Sequence, residues 1–250
     1  MKFGIICDIL VKNHERCGVL NWTDRTEKML GTDSINILNN AKILLFGLGG
    51  VGGYIAESLA RSGIGTIGIV DNDTVNESNL NRQIIATTET IGMNKTDAVK
   101  ERILKINPDC NVISYNLFFT PETDEIPFSD YDYVIDAIDT VTSKIEIAKR
   151  CHELNIPLIS SMGTGNKIHP ELLEIADITK TSVCPLARVM RRELKARGIP
   201  HLKVVYSKEE PFGTHIEENG RRAPGSCTFV PAAAGIIIAS EVVRNLLNSK

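Results

Sequence analysis

The chain has 250 residues, of which 42% are hydrophobic and 24% are charged. This composition is typical of one large folded domain and excludes a disordered chain, a collagen-like fibre and a disulfide-dense scaffold. The 28 basic and 31 acidic side chains give a formal net charge of -3, which argues against a wholly basic nucleic-acid-binding protein. Residues 1–10 lack a signal-peptide cleavage site, and the apolar run 232–240 is far shorter than the roughly 20 residues of a membrane span. We therefore expect a cytoplasmic protein with no membrane anchor and no DNA partner.

The first predicted elements form a strand–helix–strand unit. The apolar run 41–46 predicts a strand, the spacing of apolar residues in 51–62 predicts a helix, and 66–70 predicts a second strand. The alternation continues to about residue 161, with helices at 92–106 and 143–154 and strands at 112–115, 133–138 and 157–160. Because strands and helices alternate, we predict an α/β fold with a Rossmann-like, doubly wound and mostly parallel sheet.

The pattern changes after residue 162, and we predict an antiparallel C-terminal extension there. The predicted elements are a strand at 172–178, a basic helix at 185–197, a mobile surface loop at 207–225 and a helix at 231–247. The loop is predicted from its glycines, prolines and charges. The last helix is predicted to begin with a proline in its first turn.

A glycine-rich motif joins the first predicted strand to its helix. It reads G-L-G-G-V-G at 47–52 and places glycines at Gly47, Gly49, Gly50 and Gly52. Such glycines let the backbone approach a phosphate chain, and the helix N-terminus supplies unpaired N–H groups. Asp71 follows the second strand, where its carboxylate can accept hydrogen bonds from an adenosine ribose. On these features alone, an NAD-dependent oxidoreductase is favoured.

The residues after Asp71 favour ATP over NAD. A long polar segment that contains Arg82 replaces the expected helix, and Lys95 lies in the first turn of the next helix, where a cation opposes the helix dipole. A triphosphate explains both cations, whereas the pyrophosphate of NAD is commonly held by backbone amides alone. Asp139 follows another parallel strand, at the rim where such sheets bind ligands, and its carboxylate is suited to Mg²⁺. We therefore expect ATP and Mg²⁺ as cofactors.

These motifs, taken in order, resemble a known family. They are the glycine loop, D-N-D-T-V at 71–75, S-N-L-N-R-Q at 78–83, G-M-N-K at 92–95 and D-A-I-D at 136–139. Over about residues 22–240 the chain resembles the ubiquitin-activating-enzyme-like adenylyltransferases, which include the activating enzymes of molybdopterin synthase and of thiamine biosynthesis. The resemblance implies that Asp71 binds ribose, that Asn79, Arg82 and Lys95 hold phosphates, and that Asp139 holds Mg²⁺.

The same resemblance implies a homodimer. Arg25 matches an arginine that in such enzymes reaches into the ATP site of the partner subunit. We accordingly predict one domain with two portions, an ATP-binding Rossmann-like portion at 22–162 and a substrate-facing and dimerisation portion at 163–250. Residues 1–21 contribute no motif, and their order is not predicted.

The cysteines narrow the choice within the family. Activators of ubiquitin-like proteins usually carry two cysteine pairs for zinc, whereas the six cysteines here, at 7, 17, 110, 151, 184 and 227, include no pair with the two-residue gap of a zinc site. We therefore expect no zinc. Four phrases, at 61–65, 134–139, 156–159 and 223–226, resemble the subfamily that dehydrates N6-threonylcarbamoyladenosine in tRNA. That resemblance implies a tRNA substrate and activation of the threonyl carboxylate by adenylation.

A tRNA substrate calls for a cationic surface, and the predicted helix at 185–197 offers one. Its basic residues at three- and four-residue spacing share one face: Arg188, Arg191, Arg192 and Lys195. We expect this face to contact the RNA backbone. Because Glu193 interrupts the run, a merely solvated helix face is the alternative interpretation.

Two other functions stay open. The first is an adenylyltransferase that activates the C-terminus of a ubiquitin-like sulfur-carrier protein, with Cys184 before the basic helix as its thiol and with sulfur-transfer or acceptor proteins as partners. The second is an NAD-dependent oxidoreductase, which the glycine loop alone supports.

Overall fold

A computed structural model describes residues 21–213, 215–218 and 221–248 and shows strands alternating with helices. The strands are β1 (Lys42–Phe46), β2 (Thr66–Val70), β3 (Asn111–Tyr115), β4 (Tyr133–Asp136), β5 (Leu158–Ser161), β6 (Leu173–Asp177), β7 (Lys203–Ser207), β8 (His215–Glu218) and β9 (Arg221–Pro224). The α-helices are α1 (Asp24–Leu30), α2 (Thr32–Asn40), α3 (Gly52–Arg61), α4 (Lys95–Ile106), α5 (Val141–Leu154), α6 (Pro185–Ala196) and α7 (Phe229–Asn248).

Strands β1 to β7 form one sheet in the order β3-β2-β1-β4-β5-β7-β6. All neighbouring pairs are parallel except β6 and β7, which are antiparallel. Since β2 and β4 lie on opposite sides of β1, the winding reverses between β1 and β4, and a crevice opens at their carboxyl ends. The predicted doubly wound, mostly parallel sheet with an antiparallel C-terminal extension is therefore confirmed.

The central strands are buried on both faces because helices cover both sides of the sheet. In β1, Ile43 and Leu45 face one apolar cluster, which also contains residues of α3 and α7. Leu44 and Phe46 face the opposite cluster, in which Phe46 packs edge-on against Phe119 with ring centroids 4.8 Å apart. Each fully buried side chain of this size stabilises the fold by about 1.5–3 kcal/mol relative to an exposed one, which explains why the strand is a continuous apolar run.

Helix α7 is the longest helix described and packs against α3. By length and composition it is apolar enough to cross a membrane, with a mean hydropathy of 1.5. In the fold its Val230, Ala234, Ile238 and Val242 are buried. Packing in the core therefore accounts for the apolar residues on this face, which make up part of the 44% of the helix window that is buried.

The prediction of a loop over 207–225 was wrong in part. Strands β8 and β9 pair antiparallel within it, with His215 opposite Pro224 and Glu218 opposite Arg221. These strands are rich in charged residues, so the alternation of apolar and polar residues that marks a half-buried strand is missing from the sequence.

Candidate active site

A cleft of about 1140 Å³ lies at the carboxyl ends of the parallel strands. Its walls are the loops that follow β1, β2, β4 and β5, together with residues 224–226. It brings together eight of the residues predicted for the nucleotide site: Gly47, Gly49, Gly50, Asp71, Asn79, Arg82, Lys95 and Asp139. Parallel strands that end at one edge of a sheet explain why residues so far apart in sequence converge.

The glycine loop runs close to the neighbouring strand. Gly47 has φ +85°, and a Cβ atom there would lie 2.7 Å from the carbonyl oxygen of Ala137. Gly52, buried in the first turn of α3, allows no side chain either, because its Cβ would lie 1.7 Å from the carbonyl oxygen of Gly47. The tight turn thus requires glycine at both positions and places the N-terminus of α3 against the cleft, where it favours an anion.

Asp71 is oriented by the backbone before any ligand binds. Its Oδ2 accepts a hydrogen bond from Leu48 N at 2.7 Å, and its Oδ1 accepts one from Asp73 N at 2.9 Å. Burial raises the pKa of the Asp71 carboxyl above its usual range, although Lys95 and the two N–H donors oppose this rise. The carboxylate is therefore fixed at the end of β2, on the wall of the cleft.

Lys95 is the first residue of α4 and is nearly enclosed, with 7% of its side chain exposed. Its Nζ lies 2.7 Å from Oδ2 of Asp73, whose side chain is 59% exposed. The sequence predicted a cation available for a phosphate, and the structure adds this acidic partner. Asp73 neutralises the ammonium in the absence of an anion.

Arg82 and Asn79 lie on the polar segment after β2. Arg82 Nη1 donates to the carbonyl oxygen of Ser78 at 2.8 Å and to Oδ1 of Asn81 at 2.9 Å. Asn79 is buried, and its Oδ1 accepts a hydrogen bond from Asn76 N at 3.1 Å, which caps the short 3₁₀ helix Glu77–Asn79. The segment thus holds the guanidinium beside the cleft through its own backbone and amides.

Asp139 lies two residues beyond the loop start at Ala137, and its side chain is exposed to the cleft. Thr140 Oγ1 is 3.4 Å from its Oδ1. Among the residues that the structure describes, no group of three His, Cys, Asp or Glu side chains is suited to hold a metal ion. Asp139 therefore offers a single hard oxygen ligand rather than part of a closed protein site.

Known proteins are similar to this chain in sequence. The model of the ThiF family matches residues 24–250. The chain belongs to the ThiF family. It is 43% identical over 246 residues to the tRNA threonylcarbamoyladenosine dehydratase of Bacillus subtilis, covering 92% of this chain and 96% of that protein. It is 39% identical over 253 residues to the protein of the same name from Escherichia coli, covering 90% of this chain and 94% of that protein.

The fold of this ThiF-family chain is also similar to a solved structure. The crystal structure of the E. coli tRNA N6-threonylcarbamoyladenosine dehydratase in complex with ATP superposes with a TM-score of 0.80 at 32% identity. The match covers 90% of this chain and 93% of that structure. The family and the fold predicted from the sequence are confirmed.

The remaining predicted residues of the ThiF-family chain lie outside the lining of the cleft. Arg25 is exposed on α1. Cys184 is buried at the N-cap of α6, and its Sγ would lie 3.8 Å from a Cβ built on Gly163. The cleft and the cysteine are thus close neighbours, separated by the loop after β5.

The predicted basic face of α6 divides into two kinds of residue. Arg188, Arg192 and Lys195 are exposed. Arg191 is partly buried, and its Nη1 donates to the carbonyl oxygen of Ile178 at 3.2 Å and to the carbonyl and hydroxyl oxygens of Thr181 at 2.9 and 2.7 Å. Arg191 therefore ties α6 to the turn before it, while the other three face solvent.

Two features of the cleft were not predicted. Gln83 lines it beside Gly49 with 6% of the residue exposed, and its Oε1 has no hydrogen-bond partner within the described residues. Residues 163–165 and 224–226 form the end of the cleft away from Asp71, and Asn81 Nδ2 donates to the carbonyl oxygen of Ser226 at 2.9 Å. The S-N-L-N-R-Q motif contains Gln83, but only the fold shows that its amide is buried there.

Proposed function

We propose that this chain catalyses the ATP-dependent dehydration of N6-threonylcarbamoyladenosine in tRNA, by adenylating the carboxylate of the modified base. The observation that carries the proposal is 43% identity to a dehydratase over nearly the full length of both chains, with the motif residues converging in one cleft. The E. coli relative was crystallised in complex with ATP, which supports ATP as the nucleotide here. A tRNA substrate also agrees with a location in the cytoplasm.

The chemistry follows from the reactivity of carboxylates. A carboxylate is a poor electrophile because oxide is a poor leaving group. Attack of a carboxylate oxygen on the α-phosphorus of ATP releases pyrophosphate and gives an acyl adenylate, from which AMP leaves when a nucleophile attacks the carbonyl carbon. A nucleophile within the same modified base closes a ring with the net loss of one water. Such an intramolecular step gains up to about 7–11 kcal/mol when it is well oriented.

We assign the nucleotide site to the residues that line one end of the cleft. The glycine loop and the N-terminus of α3 receive phosphates, and the Asp71 carboxylate accepts hydrogen bonds from the ribose. Asn79, Arg82 and Lys95 supply donors and positive charge to the phosphates. When a phosphate arrives, Lys95 exchanges its exposed partner Asp73 for the nucleotide.

Asp139 is the residue that would hold Mg²⁺. This ion commonly takes one or two protein carboxylates together with substrate phosphates and water, so a single exposed carboxylate facing the cleft fits it. When bound, the ion would neutralise phosphate charge and polarise the phosphorus–oxygen bonds.

We assign the acceptor end of the cleft, formed by residues 163–165 and 224–226, to the modified base. The exposed Arg188, Arg192 and Lys195 on α6 are assigned to the tRNA backbone. Arg191 contributes mainly by holding α6 in place, because its donors are used within the chain.

We further propose a homodimer in which Arg25 completes the partner's site. Helix α1 buries none of its residues, and three large apolar side chains on it or just before it are exposed, Trp22 by 50%, Met29 by 77% and Leu30 by 37%, which a second copy could cover. Arg25 is not among the residues that line the cleft of its own chain. A position on an uncovered helix, outside its own site, supports a role in the partner's site.

Mass spectrometry tests the proposed reaction. The purified protein, incubated with ATP, Mg²⁺ and tRNA that carries threonylcarbamoyladenosine, should yield a nucleoside lighter by one water, together with AMP. Reactions without ATP, and with tRNA that carries unmodified adenosine, are the controls. A folded protein that binds ATP but yields no lighter nucleoside would contradict the proposal, and tight binding of NADH instead would favour the oxidoreductase alternative.

A further inference from the structure

A fully buried ion pair lies beneath the floor of the cleft. Asp136 is the last residue of β4 and is 1% exposed, and Lys144 lies in the first turn of α5 and is 0% exposed. Lys144 Nζ is 2.8 Å from Asp136 Oδ2. The residues immediately above the pair, from Ala137 to Thr140, line the cleft.

The pair is saturated with hydrogen bonds. Besides Asp136, Lys144 Nζ donates to the carbonyl oxygens of Ile138 at 3.1 Å and of Ser161 at 2.8 Å, so all three protons of the ammonium have acceptors. Asp136 also accepts a hydrogen bond from Ser160 Oγ at 2.6 Å. This arrangement compensates the large cost of removing two charges from water.

Stability alone does not explain such a pair. Apolar residues of similar volume at the two positions of a buried ion pair commonly give equal or greater stability, because desolvation offsets most of the attraction. An apolar side chain cannot donate hydrogen bonds to two backbone carbonyls. Lys144 differs from an apolar residue, therefore, in that it joins two loops through their carbonyl oxygens.

Those two loops are neighbours, because they follow the adjacent strands β4 and β5, and each leads to a different part of the cleft. The carbonyl of Ile138 directly precedes Asp139, in the nucleotide part, and the carbonyl of Ser161, the last residue of β5, precedes the loop that continues through 163–165, in the acceptor part. Strands β4 and β5 pair up to Asp136 and Ser160, so the loops beyond them lie past the end of this ladder. The Lys144 ammonium supplies a connection where the strand pairing stops.

We infer that Lys144 is a positioning residue, which sets the distance between Asp139 and the acceptor loop so that the carboxylate of the modified base meets the α-phosphorus in line. The inference rests on the proposed function, because it assigns the two ends of the cleft to ATP and to the modified base. Loss of this connection removes the donor that the Ile138 and Ser161 carbonyls share, so the two loops can shift relative to each other. A displacement of about 1 Å between reacting groups is enough to lower a rate about 100-fold.

A double variant separates positioning from folding. Lys144→Met alone leaves the Asp136 carboxylate buried without a cation and is expected to destabilise the fold. Asp136→Asn/Lys144→Met removes both charges and is expected to regain most of the melting temperature, yet to keep a kcat about 100-fold below the wild type. Lys149→Met is the matched control, because Lys149 lies on the same helix but is 48% exposed, and its kcat should not change.

A double variant with wild-type kcat would overturn the inference. Should that variant fail to fold, Lys144→Arg replaces it, since arginine retains a buried cation for Asp136 but places its donors differently. The same loss of kcat at a near-normal melting temperature is then expected, and a wild-type kcat would again overturn the inference.

Calorimetry gives a readout that does not depend on turnover. ATP affinity without metal should stay near that of the wild type, because the glycine loop, Asp71, Arg82 and Lys95 are untouched. The gain in ATP affinity on adding Mg²⁺ should shrink in the double variant, because Asp139 is no longer fixed. If the wild-type protein yields no dehydrated nucleoside, the proposed function fails by itself, and an unchanged effect of Mg²⁺ on the variant would then overturn the positioning inference as well.

Discussion

At the residue scale, the cleft contains polar groups that are already partnered before ATP arrives. Asp71 accepts two backbone N–H groups, Lys95 pairs with Asp73, and Arg82 donates to Ser78 and Asn81. Each of these contacts holds a side chain at the wall of the cleft. Because these side chains are already ordered, they lose less conformational entropy when a ligand binds. The ligand must, however, replace some of the hydrogen bonds and ion pairs that hold them.

The exchange at Lys95 leads to a prediction. Lys95→Ala should weaken ATP binding by about 10- to 100-fold, since a hydrogen bond to a charged group contributes about 1.5–3 kcal/mol. Asp73→Asn should instead leave ATP binding equal or tighter, because it removes the anion that competes with the phosphate for Lys95. Calorimetry measures both affinities. Two results would show that the pair stabilises the fold instead. One is that Asp73→Asn weakens ATP binding as much as Lys95→Ala does, and the other is that Lys95→Ala lowers the melting temperature without changing ATP affinity.

The raised pKa of Asp71 leads to a prediction of how ATP affinity depends on pH. Because burial raises its pKa in the folded chain, the ionised form is lost at a higher pH than the value of about 3.9 for a free aspartate. ATP affinity should therefore fall on acidification before an exposed aspartate would titrate. The stability of the fold depends on pH in the opposite direction to ATP affinity. The stabilisation that comes from the raised pKa of Asp71 is fully present below the pKa of this group in the unfolded chain, and it is lost as the pH rises through the pKa in the folded chain.

The matched variant for this experiment is Asp71→Asn. ATP affinity is measured against pH for the wild type and for this variant. Subtracting one profile from the other removes the effect of the titration of ATP itself, and the remaining difference in affinity should vanish at low pH. A difference that stays constant across the acidic range would contradict the role of the Asp71 carboxylate as the ribose acceptor.

The sequence predicted the residues of the cleft well because they occupy short motifs at strand ends. Lys144 and Gln83 escaped prediction for a different reason. A lysine in a helix that contains other charged residues reads as a solvated cation, and only tertiary packing makes it 0% exposed. Burial of Gln83 similarly depends on the glycine loop, which lies far from it in sequence.

At the element scale, the predictable elements are those with a strong local pattern. Strands β1, β2 and β4 are covered on both faces and read as apolar runs. Helix α1 was not predicted because it buries none of its residues and so lacks an apolar stripe in register with a core. Strand β7 was also missed, although Val204, Val205 and Tyr206 are buried, because the run is short and ends in a polar segment.

The exposed and partly buried arginines of helix α6 lead to different predictions for mutation. Arg188→Ala should weaken tRNA binding and reduce the slope of log affinity against log salt by about 1, because one phosphate contact is lost. Arg191→Ala is the comparison on the same helix, and it should chiefly lower the melting temperature, since its donors hold Ile178 and Thr181. Filter binding at several salt concentrations checks the first expectation. Equal salt slopes for the wild type and the Arg188 variant would show that this face is merely solvated.

At the scale of the whole molecule, one sheet joins the two predicted portions of the chain. Strands β7 and β6 follow residue 162 but extend the sheet from β5, and α7 returns to pack against α3. Asn81 also bonds to Ser226, which links the phosphate-side segment to the acceptor end. The cleft is therefore built by both portions, and it is completed, in our proposal, by Arg25 of a second copy.

Complementation between subunits tests this last point. Arg25→Ala and Asp139→Asn should each be inactive alone. In a mixed dimer, a trans arrangement combines both defects in one site and leaves the other site intact, so random exchange of subunits should restore about one quarter of the wild-type activity. If Arg25 serves its own chain, every site in the mixture carries one defect, and no activity returns. Recovery must also depend on subunit exchange, so proteins mixed immediately before the assay should gain activity over time, whereas either variant incubated alone should not.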